Sequence, residues 1–282
     1  MINKVAEVFS RDAVIHDAML RNLATETRLY AIFILPRTGS TWLMEMAENS
    51  KFLGTPQEWF NEGWIYTEEL AMGCRPPRLV GTTSVDEYIR RTVADYRSAS
   101  GVMGLQLSPY QTQCLCEMLE KPKDALDMVT KFYLRRENLI AQAISLFRSV
   151  TSGLFHSYQE SPVLKARLDA VEYDGTAIQT WCEHIVTGEI FYDELFTRMN
   201  ISPARFTYED VVAKPREILS WLAAHIDQNL KSGEIETQGG RMSKMGGKTS
   251  SEWEQRFRAE HAQFLVDLEN RRPPVVSDFL VT

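Results

Sequence analysis

The chain is poor in cysteine and has no excess of positive charge, and both shortfalls narrow what it can do. Only four of its 282 residues are cysteine. Of these, Cys114 and Cys116 alone stand close together. No Cys or His cluster at metal-ligand spacing surrounds them, so no metal is expected, and the thiols read as buried side chains of a reducing compartment. The formal net charge is −7, the wrong sign for a general nucleic-acid or anionic-membrane surface. A run apolar and long enough to cross a bilayer is missing, and residues 1–10 lack a signal-peptide core. The expectation is therefore a cytoplasmic chain with no membrane span and no nucleic-acid partner. Also missing is the G-x-x-x-x-G-K-[ST] pattern of a nucleotide-triphosphate loop: Ser40 stands where its lysine belongs.

What is present is a different anion loop. The apolar run 29–34 reads as a buried strand, and good helix formers follow from Trp42. Between them lies Pro36-Arg37-Thr38-Gly39-Ser40-Thr41. A helix start offers unpaired backbone N–H groups and partial positive charge. Gly39 allows a close turn, Thr38, Ser40 and Thr41 add hydroxyls, and Arg37 adds a permanent cation, which together make a cradle for a phosphate-like group. The plainer alternative is an ordinary helix cap after a strand.

Along the chain, helical spacing of apolar residues predicts one or two helices over 2–27. Glycines and prolines mark 61–83 as a loop-rich excursion. Further helices are expected over 85–99, 109–119, 138–150, 171–199 and 217–229, with strands over 101–107, 128–134 and 205–208. Residues 152–170, with Gly153 and Pro162, read as irregular; 231–251 read as a Gly/Ser/Lys loop, and a final helix opens at Ser250. Strands alternating with helices predict an α/β fold, a mostly parallel sheet flanked by helices, with ligands at the carboxyl ends of the strands. Length favours one domain over 1–282, carrying an N-terminal helical extension over 1–27.

Two further basic elements stand near those strand ends. Arg135-Arg136 closes a strand, and Ser145 follows on the next helix, about two and a half turns on. Both could face one phosphate, or be plain surface residues. Lys244 and Lys248 bracket Gly246-Gly247 in a segment able to wrap a ligand or simply to be solvated.

The ordered set Pro-Arg-Thr-Gly-Ser-Thr, Gly-x-Pro-Gln-Glu-x-Phe, Arg-x-x-x-x-x-Gln-Ala-x-Ser, Thr-Tyr-Glu-Asp and Glu-Trp-x-x-Arg-Phe resembles the bacterial trehalose 2-sulfotransferase family, from about Arg28 to about Ala259. The resemblance implies a sulfotransferase fold and transfer of a sulfuryl group from 3′-phosphoadenosine 5′-phosphosulfate (PAPS) to a carbohydrate or lipid-linked hydroxyl, leaving PAP. It implies that Arg37, Thr38, Gly39, Ser40 and Thr41 hold the 5′-phosphosulfate and that Arg136 and Ser145 hold the 3′-phosphate. The 231–251 segment becomes a lid, with Lys244 and Lys248 as competing cations, and a homodimer is implied. Glu58 matches the proposed general base. Trp42 matches an adenine-stacking tryptophan of cytosolic sulfotransferases, or is a core aromatic. Gln106 departs from the pattern, because the family carries lysine there to neutralise charge as PAP leaves. That departure keeps open a PAP-binding protein without transfer; a P-loop kinase is the remoter alternative.

Overall fold

The computed structural model describes residues 3–9, 12–62, 84–228 and 247–279. Two helices, α1 (Lys4–Glu7) and α2 (Asp17–Glu26), precede β1 (Arg28–Phe33). Then come α3 (Ser40–Ser50), α4 (Val85–Tyr96), β2 (Val102–Leu107), α5 (Pro109–Met118), α6 (Pro122–Asp127) and β3 (Thr130–Arg135). The second half contains α7 (Leu139–Ser152), α8 (Pro162–Asp169), α9 (Gly175–Met199), β4 (Ala204–Thr207), α10 (Tyr208–Ala213) and α11 (Pro215–His225). It closes with α12 (Lys248–Glu260) and α13 (Ala262–Arg271).

Among the described residues four strands form one parallel sheet in the order β2-β1-β3-β4, as the alternation of elements predicts. Both faces are covered, which is why the strands read as continuous apolar runs. Ala31, Phe33, Met103, Leu107 and Tyr133 pack beneath Tyr88, Tyr192 and Phe196 on one face. Tyr30, Ile32, Phe132, Leu134 and Phe206 meet Leu43 and Met46 of α3 and Leu219 and Leu222 of α11 on the other. A third cluster joins α7 and α9 to Trp253 and Phe257 of α12. Where α2, α4, α5 and α6 cover the first face, packing leaves an apolar cavity of about 130 Å³. At roughly 24 cal/mol per Å³, a void of that size costs about 3 kcal/mol if left empty.

Three expectations need correction. The irregular stretch 152–170 contains a 3-10 turn, Ser157–Gln159, and α8. Pro162 there does not break a helix but starts one, with Ser161 Oγ accepting from the Leu164 N–H at 3.2 Å. The last loop ends earlier than expected, because α12 begins at Lys248. Its polar first turn is held from outside, by Arg148 donating to Ser250 Oγ at 2.9 Å and by Trp253 and Phe257 in the third cluster. The final helix is also two helices, parted at His261. The rest of the 231–251 lid, Lys244 and almost all of the 61–83 excursion lie outside the described residues. Among the described residues no helix is long and apolar enough to cross a membrane.

Candidate active site

The anion loop sits at the carboxyl end of β1. Gly39 takes φ +78° and precedes α3, and no side chain caps that helix. The N–H groups of the first turn are therefore open to a ligand. A Cβ at Gly39 would lie 2.5 Å from the ring of Tyr208, so glycine is required both by backbone and by contact. Arg37 also adopts a left-handed φ, +68°, a strained conformation for a long side chain. Thr38 Oγ1 donates to Leu35 O at 2.9 Å and Gln142 Nε2 donates to Pro36 O at 2.8 Å. Both bonds fix the loop from behind.

Three of the expected residues converge here. Arg37 Nε donates to Ser145 Oγ at 3.0 Å, and Arg136 Nη1 donates to the carbonyl of Arg37 at 3.2 Å. The Arg136 guanidinium lies 4.5 Å from the centre of the Tyr208 ring. Tyr208 is thus a plate between Arg136 and Gly39. The Arg136 Nε is buried with no partner among the described residues. Arg37 Nη1 donates to Phe155 O, which ties the site to the start of the 155–160 turn. Burial, with Arg136 adding repulsion, draws the Arg37 pKa down to about 10, so it stays cationic at neutral pH. Burial and then the charge of Arg37 push His156 down to about 4, which leaves it neutral.

The adjacent arginine does something else. Arg135 is buried and forms a 2.7 Å ion pair with Glu189 of α9. It also donates to Pro274 O at 2.7 Å and Pro273 O at 2.9 Å. Arg272 completes the cluster: it pairs with Glu189 at 2.8 Å and donates to Arg136 O at 2.6 Å and Glu137 O at 2.9 Å. The C-terminal tail so holds the backbone from which Arg136 projects.

Glu58 stands near the carboxyl end of β2. Its Oε2 accepts from Gln111 Nε2 at 2.9 Å and from Asn61 Nδ2 at 3.2 Å. Part of the residue stays accessible, yet burial around the carboxyl raises its pKa above the ordinary 4.5, against the two amide donors. Gln106 is buried and donates from Nε2 to Ser40 O at 2.9 Å, so the position expected to carry lysine does face the loop. Ser40 is buried and Thr41 half-buried. Trp42 is half-buried and packs against the cluster on the α3 face. Lys248 pairs with Glu252 at 3.5 Å across one turn of α12, with its side chain 91% exposed.

Sequence reasoning gave no role to Tyr208, Gln142 or Phe155. The first two lie inside quoted motifs, Thr-Tyr-Glu-Asp and Gln-Ala-x-Ser, and those motifs were the available signal. Phe155 acts through its carbonyl, which leaves no trace in a side-chain pattern.

With this geometry in place, comparison with known proteins decides the family. The family model of the Stf0 sulphotransferases matches residues 29–260. The chain belongs to the Stf0 sulfotransferases. The match covers the span over which the motifs resemble the trehalose enzymes. No curated protein matches the chain. Among solved structures it is similar to a sulfotransferase domain from the curacin biosynthetic pathway, at 15% identity and TM-score 0.44, over 80% of this chain and 82% of that one.

Proposed function

We propose that this Stf0 member is a PAPS-dependent sulfotransferase acting on an alcohol of a carbohydrate or glycolipid-like acceptor, with Glu58 as general base. The observation that carries the reading is the meeting of Arg37, Arg136 and Ser145 at an uncapped helix start. The residues present fit a doubly anionic nucleotide. The open amides of α3 and the Arg37 guanidinium would take one phosphate group, and Ser145 with the unpartnered Nε of Arg136 would take the other. When bound, PAPS supplies an activated sulfuryl group with PAP as its leaving group.

The protein's own part is positioning and proton transfer. Glu58, ionised above its raised pKa, accepts the proton of the acceptor hydroxyl at a carboxylate oxygen. Gln111 and Asn61 hold the carboxylate in place. Arg37 and Arg136 provide fixed positive charge where negative charge collects. Gln106 braces the loop through Ser40 O and provides no cation. That substitution favours a second reading, a PAP-binding protein that performs no transfer.

Glu58→Gln separates these readings. Turnover is expected to fall by about 10²- to 10⁴-fold while PAP affinity is kept. In the parent, activity rises with pH through the Glu58 pKa, placing the acid limb above pH 4.5. A variant as active as the parent would remove Glu58 as base. A parent that binds PAP and turns over no alcohol would favour the second reading.

A further inference from the structure

Gln111 lies in the first turn of α5, is buried, and has both ends of its side-chain amide in use. Its Oε1 accepts from the Ser108 N–H at 3.0 Å, and Ser108 Oγ accepts from the Gln111 N–H at 3.4 Å, a reciprocal cap on the helix start. A backbone N–H can only donate, so it settles which end of the amide is oxygen. Nε2 must then face Glu58, and it donates to Oε2 at 2.9 Å. Glutamate serves such a cap as readily as glutamine. At this position it would set a second carboxylate against the first. Asn61 also donates to Oε2, so both amides meet on one oxygen, and Oε1 has no hydrogen bond among the described residues. The end of β2 also holds the backbone beside the base, through the Gln106 N–H donating to Gln57 O at 2.8 Å. Burial raises the Glu58 pKa, and the donors Gln111 and then Asn61 draw it back.

We propose that Gln111 is the positioning residue of this base, a donor of fixed polarity that holds Glu58 through Oε2 and leaves Oε1 to take the acceptor's proton. The acceptor O–H bond breaks, its proton goes to Oε1, and its electron pair stays on the attacking oxygen. The source of that proton rests on the sulfotransferase reading above; the control of Glu58 rests on the hydrogen bonds alone.

The test follows Glu58 itself. The full chain, labelled with carboxyl-13C glutamate, is titrated by NMR as parent, Gln111→Glu and Gln111→Leu, with Glu58→Gln assigning the signal. PAP is titrated into the parent in a parallel arm. Gln111→Glu keeps the cap and inverts the bond to Glu58. Two carboxyls then share a proton, and Glu58 is expected to titrate in two steps, the upper at least about one pH unit above the parent midpoint. Gln111→Leu removes donor and cap together, and a rise of about one pH unit is expected, one charge-assisted hydrogen bond's worth. A midpoint equal to the parent's in folded Gln111→Glu overturns the inference and reduces Gln111 to a helix cap. An unmoved midpoint in folded Gln111→Leu overturns it too, so either variant decides if the other does not fold. The two arms separate the failures. A moved midpoint without PAP binding in the parent defeats the sulfotransfer reading and supports the control of Glu58 by Gln111. PAP binding with an unmoved midpoint defeats this inference alone.

Discussion

Arg135 and Arg136 are neighbours in sequence and opposites in use. Arg135 faces inward and is saturated by Glu189, Pro273 and Pro274. Arg136 faces the anion loop with one carbonyl, one aromatic face and a buried Nε left over. A strand alternates its side chains between faces, so consecutive arginines at a strand end must diverge. What differs is the company each face supplies. A carboxylate and the carbonyls of Pro273 and Pro274 await the first, and an uncapped helix start awaits the second. Charge that is fully paired builds structure, whereas charge left under-paired in a half-buried pocket is available to an anion.

The sharpest way to break this contrast is at Glu189. Glu189→Ala strands Arg135 and Arg272 without their carboxylate, and the expected loss is about 3–5 kcal/mol of stability, read as a shift in denaturant midpoint. PAP affinity should fall less than it does in an Arg136 variant. A loss under about 1 kcal/mol would show that the cluster is dispensable and that the contrast is misplaced.

A smaller effect sharpens the other side. His156 titrates near 4 in the folded chain against 6.5 ordinarily, so the folded state binds fewer protons between those values. Its contribution is whole above pH 6.5 and is lost as pH falls toward 4. Across that window it amounts to about 3 kcal/mol. His156→Gln should remove that part of the pH dependence in urea unfolding series run from pH 7 to pH 4.5. An unchanged slope would show that His156 is not held buried beside the Arg37 charge.

Much of the candidate site was legible because its elements are local. The strand, glycine turn and helix start around Gly39 declare themselves within fifteen residues or so, by apolar run, small residues and helix formers. Gln106 and Glu58 were identifiable through ordered motifs and do occupy the carboxyl-end region of the sheet. The division of labour between Arg135 and Arg136 was not legible in physical terms. It is made by Glu189, 54 positions away, and by Arg272, 136 positions from Arg136, and no local pattern encodes such partners. Pro162 misled for a simpler reason. Proline breaks a helix interior but suits its first turn, and only Ser161 before it told which applied. The sheet order β2-β1-β3-β4 likewise came from the folded chain, since alternation of elements fixes parallelism and not sequence of strands.

The central claim is that Arg37, Arg136 and Ser145 form a site for a nucleotide bearing a second phosphate. The most direct measurement is calorimetric titration of PAP and AMP into the parent and into Arg136→Met. The account predicts that the parent prefers PAP by at least about tenfold, roughly one charge-assisted hydrogen bond's worth, and that Arg136→Met loses most of that preference with its fold intact. Equal affinity for PAP and AMP in the parent would contradict it.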